Sequence, residues 1–151
     1  MSTGTRNSWR TGAVAIAAMI ALSGCAMMQG EHRMGGNHQE LTLTGASEVP
    51  PVVTSASGSG WVRIHEDHTV TAKITVTGMT PTASHIHMAA AGANGPVIVP
   101  FVKEGDNTFV APPGSKLNDE QYEALKAGKL YVNVHSAKSP AGEIRAQLKG
   151  W

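Results

Sequence analysis

The stretch from Leu130 to Lys149, LYVNVHSAKSPAGEIRAQLK, constrains this chain more than any other. If the loop Ser136 to Gly142 closes symmetrically, His135 faces Glu143, Asn133 faces Arg145 and Tyr131 faces Gln147. The intervening pairs are Val134–Ile144, Val132–Ala146 and Leu130–Leu148. Successive strand side chains point to opposite faces, so one face of this hairpin is wholly apolar and the other wholly polar. A slip of one residue would turn every apolar side chain to water, which fixes the register. The apolar face must be core, and His135 lies on the outer face.

The same period recurs upstream. Leu41 and Leu43 alternate with Thr42 and Thr44 until Gly45 breaks the run. Gly58 to His65 places Val62 and Ile64 on one face and Trp61, Arg63 and His65 on the other. A turn at Glu66-Asp67 returns Val70, Ala72, Ile74 and Val76 to the first face. His65 and His68 flank that turn as exposed polarity at a hairpin tip. Thr82 to Met88, Val97 to Val99 and Phe109-Val110 supply further short strands. Pro50 and Pro51 force an irregular segment after Glu48, because each proline removes a ladder donor. One helix is encoded: Asn118 as N-cap, Gln121 three residues on, Tyr122 and Leu125 inward, and Gly128 at the end.

Composition agrees with many strands joined by turns. Only 15% of residues are charged, while Gly (17) and Pro (8) are plentiful, which argues against a helical bundle. The fold class is therefore all-β, a Greek-key β-sandwich or barrel with one short inserted helix. A net charge of +1 offers no basic field for nucleic acid. A single cysteine, Cys25, excludes an intramolecular disulfide and any multi-cysteine metal cluster.

The N-terminus has a different logic. Arg6 and Arg10 precede an apolar run from Ala13 to Leu22, too short to span a ~30 Å hydrocarbon core. Basic residues followed by a short apolar run read as a secretory signal. It ends in Leu22-Ser23-Gly24-Cys25, which resembles a bacterial lipobox. The resemblance implies a lipoprotein signal peptide over residues 1–24 and a lipid anchor on Cys25. With Ala26 next, it further implies a bacterial envelope protein held on the periplasmic face of the outer membrane. Residues 25–40, with Met27, Met28, His32, Met34 and His38, lack apolar periodicity and read as a lipidated tether. Its soft and imidazole donors suit copper, but a flexible linker with incidental Met and His is the leading reading.

Seven histidines occur, and three sit where strand geometry matters. His85 and His87, at i and i+2, share one strand face while Ile86 and Met88 point the other way. His135 lies on an outer face too. A three-imidazole set suits copper, with zinc as the alternative. Glu143 and Asn133 are the polar groups placed to orient it, and Tyr131 and Arg145 lie further along the same face. The structural alternative is that His85 and His135 only hydrogen-bond the Gly92–Pro96 loop.

The segments LTGASEVPPVVTSASGSGWV, ASHIHMAAAGANGPVIVPF and LYVNVHSAKSPAGEIRAQLKG resemble a CHRD domain, the module named after chordin, over residues 41–150. A more distant resemblance links the chain to copper-zinc superoxide dismutases, Greek-key barrels with copper outside the barrel wall. His85 and His87 match that family's HVH strand, and Val134-His135 its later Val-His. That resemblance implies copper at His85, His87 and His135, and compares Arg145 with a substrate-guiding arginine. The bridging histidine, the zinc subsite and the barrel disulfide have no counterpart here. Two functions follow as expectations: an envelope lipoprotein holding a metal, with superoxide-type redox chemistry as its ambitious form, or a non-catalytic module contacting another envelope protein.

Overall fold

A computed structural model describes residues 35–151. The expected signal and lipidation segment, with Cys25, Met27, Met28, His32 and Met34, lies outside the described residues. Nine strands and one helix follow in the order β1 (Gly36–Thr44), β2 (Ser57–His65), β3 (Val70–Thr77), β4 (Pro81–Met88), β5 (Val97–Pro100), β6 (Val102–Lys103), β7 (Thr108–Val110), α1 (Asp119–Lys126), β8 (Leu130–Ser136) and β9 (Ile144–Gln147). Among the described residues no helix is long and apolar enough to cross a membrane.

All pairings are antiparallel and form one sheet, ordered β5-β4-β8-β9-β1-β2-β3-β7-β6. Its two edge strands are consecutive in the chain, with only Phe101 between Pro100 and Val102. The Phe101 N–H donates to the Ser84 carbonyl of β4 (3.0 Å), while Val102 pairs with Val110 of β7. The sheet therefore curls into a nearly closed barrel, which leaves little free edge to pair with another chain.

Alternation decides what lies inside. β3 alternates strictly between buried and exposed, with Val70, Ala72, Ile74 and Val76 inward. Leu43, Val62, Ile64, Ile86, Phe109, Leu125, Leu130, Val132, Val134, Ile144 and Leu148 complete a continuous core, and Met88 packs against it. Each fully buried aliphatic side chain contributes about 1.5–3 kcal/mol relative to exposure. The C-terminal hairpin has the register its sequence dictates: Tyr131 opposite Gln147, Val132 opposite Ala146, Asn133 opposite Arg145 and Val134 opposite Ile144. Helix α1 carries the anticipated capping box, with Asn118 accepting from the Gln121 N–H and Gln121 from that of Asn118.

Three elements differ from the sequence reading. β1 begins at Gly36, so Gly36–Glu40 belongs to the barrel and not to a tether over residues 25–40. Backbone pairing with β2 carries this stretch, from Gly36 opposite His65 to Glu40 opposite Trp61, in place of apolar periodicity. The two-residue strand β6 gave no periodic signal. His68 is not a solvated hairpin tip: its ring stacks on Tyr122 of α1 at 4.0 Å, and its carbonyl accepts from the Leu117 N–H.

Candidate metal centre

β4 and β8 are neighbours, which local sequence pattern could not establish. In their register Ala83 faces His135, His85 faces Asn133 and His87 faces Tyr131. Inward alternation of Ser84 and Ile86 on β4, and of Val132 and Val134 on β8, leaves His85, His87 and His135 together on the outer face. One ring nitrogen from each lies within 4.8 Å of the others. The closest pair is His85 Nδ1 and His135 Nε2, 3.0 Å apart.

Two tautomers are fixed by backbone carbonyls. His87 Nδ1 donates to the Gly95 carbonyl at 2.9 Å, and His135 Nδ1 to the Pro140 carbonyl at 3.0 Å. A ring nitrogen that donates leaves its partner nitrogen with a free lone pair. His87 Nε2 is buried and has no hydrogen-bond partner, and His135 Nε2 meets only His85. Burial, then the neighbouring His135 and His87 imidazoles, pushes the His85 pKa down to about 4. Burial likewise lowers that of His87, partly offset by the Gly95 carbonyl. Neutral imidazole is the form that ligates a metal.

The donor set fits a metal ion. Three nitrogens converge, one buried nitrogen is orphaned, and carbonyls fix two rings from behind, as ligating histidines require. A 3.0 Å separation is what two nitrogens ~2.0 Å from one ion adopt near a right angle. A span of 4.8 Å exceeds the roughly 4 Å limit for such a pair, so a small ring rotation would complete the set.

Of the groups expected to orient these ligands, Asn133 and Tyr131 lie against His87, whereas Glu143 and Arg145 are engaged elsewhere. Glu143 does not face His135, because the ladder ends at Val134 opposite Ile144. Its carboxylate accepts from Thr54 Oγ1 (2.6 Å) and from Ser136 Oγ, bonds that hold its pKa low. The turn at Pro140 brings a carbonyl to His135 in its place. Asn133 stands opposite His85, fully buried, with Oδ1 unpartnered. Tyr131 stacks on His87, rings 4.8 Å apart and nearly parallel, and its hydroxyl accepts from the Gly95 N–H.

Arg145 is buried, its guanidinium 3.4 Å from the Tyr131 ring centre. It donates to the carbonyls of Ala93 (2.9 Å) and Ala90 (3.4 Å), to Asn94 Oδ1 (3.3 Å) and to Gln147 Oε1 (2.9 Å). This arginine straps the 89–96 loop over the outer face. It is 1% exposed, with both Nη groups committed to that loop and to Gln147. His87 bonds that loop, not His85 or His135 as the structural alternative supposed.

One buried group escaped sequence reasoning. Glu48, in the Pro-rich segment, is 5% exposed, and its Oε1 has no partner. Burial raises its pKa, and the nearby Arg145 charge opposes the rise. A lone acid before Val49-Pro50-Pro51 carries no periodic signal of burial.

The family model described as the CHRD domain matches residues 40–148. No curated protein and no solved structure matches the chain. With most of its length under that family model, the chain belongs to the CHRD domain family.

Proposed function

We propose that this CHRD domain holds a transition-metal ion, copper first and zinc as the alternative, at His85, His87 and His135, on a lipoprotein anchored in the bacterial envelope through Cys25. The observation that carries the reading is the convergence of three ring nitrogens within 4.8 Å, two of whose rings are held from behind by the Gly95 and Pro140 carbonyls. An all-nitrogen set favours copper(II) over zinc by intrinsic affinity. Copper would supply a one-electron couple there, and zinc only a Lewis acid. Holding fits better than superoxide-type chemistry, since the buried Arg145 guanidinium is committed to the 89–96 loop. The lipobox at Leu22-Ser23-Gly24-Cys25 supports the anchor and the periplasmic face of the outer membrane.

A second reading, an interaction module for an envelope partner with purely structural histidines, draws on the same carbonyl bonds. His87 and His135 already tie down two loops without any metal. Metal analysis of the full chain recovered from a bacterial envelope separates the two. Near-stoichiometric copper in the wild type, lost in His85→Ala/His135→Ala, supports the metal reading. Equal metal in both, or none in either, supports the interaction module.

A further inference from the structure

We propose a second binding site, on the outer face of β1–β3, for a carboxylate-bearing sugar ring. His38, Trp61, Arg63, His65 and Thr71 line an open concavity of about 390 Å³ there, within the size range of small-ligand sites. Strand register builds it: Arg63 stands between His38 on β1 and Thr71 on β3, with Trp61 and His65 two residues away on the same face. The Trp61 and His38 rings, 5.8 Å apart and tilted by 31°, form an aromatic floor.

The charges around this floor are unequal. Glu40 and Lys73, which flank Trp61 in the register, are both engaged: Glu40 by His38 Nε2 at 2.8 Å, Lys73 by Glu104 at 2.8 Å. Among the described residues, the Arg63 guanidinium and the Trp61 indole N–H have no hydrogen-bond acceptor. An unpaired guanidinium forks onto a carboxylate with two parallel bonds. A half-buried indole face takes the C–H side of a pyranose, as it takes other apolar surfaces with a polar rim. Thr71 Oγ1 and His65 Nε2, 3.4 Å from each other, and the indole N–H stand around these two anchors and match ring hydroxyls. The site shares no residue with the three-histidine cluster.

The test follows the Trp61 indole N–H resonance of the full chain, assigned with Trp61→Phe, during titration with tetragalacturonate. Maltotetraose supplies sugar rings without carboxylates, and acetate supplies carboxylate without a ring. The expected result is a saturable shift with tetragalacturonate only, weakened at least tenfold in Arg63→Gln with all distant resonances in place. His85→Ala/His135→Ala should bind it unchanged. No shift, an equal shift with maltotetraose or acetate, or undiminished binding by Arg63→Gln overturns the proposal.

Discussion

His85 and His135, separated by fifty residues in sequence, meet through ring nitrogens 3.0 Å apart. The contact exists because β4 and β8 are paired with Ala83 opposite His135, so that His85, two residues along β4, is the next side chain on the same face. In the absence of a metal, His85 Nδ1 donates to His135 Nε2, because His135 Nδ1 already donates to the Pro140 carbonyl. Burial, then the neighbouring imidazoles, disfavours the charged form of His85.

A pH dependence of stability follows. The folded pKa of His85, about 4, lies below the ordinary value of 6.5, so the unfolded chain takes up this proton first as pH falls. The stabilisation is fully present above about pH 6.5 and is lost progressively down to about pH 4. Thermal melts of metal-free protein should therefore show Tm falling across that window. His85→Gln should flatten part of the slope; an unchanged slope would contradict the burial assigned to His85.

Arg145→Met removes the strap on the 89–96 loop while keeping apolar bulk over Tyr131. The loss of charge-assisted bonds made by a buried guanidinium should cost about 2 kcal/mol in urea unfolding. Amide exchange in residues 89–96 should speed up more than in β8. Uniform acceleration across the barrel would show that Arg145 acts on the core and not on the loop.

Gly142→Ala tests how tightly the outer face is packed. Gly142 has φ +132°, and a Cβ there would lie 2.5 Å from Glu48 Oε1 and 2.7 Å from Asn133 Nδ2. Backbone strain plus displacement of two buried polar groups should cost about 2 kcal/mol or more, read as a lowered Tm. A neutral substitution would mean that Glu48 is not held against this turn.

Asn118→Ala serves as the control away from the site. Loss of the capping box should cost about 1 kcal/mol and leave metal affinity unchanged. A change in metal affinity would show that α1 is coupled to the outer face.

Local pattern carried the fold far. The apolar pairs Val132–Ala146 and Val134–Ile144 define the hairpin register, because a slip would expose them. The alternation of His85, Ile86 and His87 similarly assigns both imidazoles to the outer face. Long-range pairing was not legible: nothing local in Ser84-His85-Ile86-His87 says that β8 lies beside it. Loop closure was not legible either. Symmetric closure pairs His135 with Glu143, but the turn through Pro140 delivers a carbonyl to His135 and sends Glu143 to Ser136 and Thr54. Nothing in the local pattern marks Glu48 or Arg145 as buried, yet an irregular segment and a strapped loop bury them.

The most direct test of the metal site is electron paramagnetic resonance of the full chain loaded with one equivalent of copper(II), beside His85→Ala/His135→Ala. The prediction is a single tightly bound copper with imidazole-nitrogen coupling in the wild type, and loss of that signal in the variant. An identical spectrum in both proteins, or only loosely held copper in the wild type, would contradict a site at His85, His87 and His135.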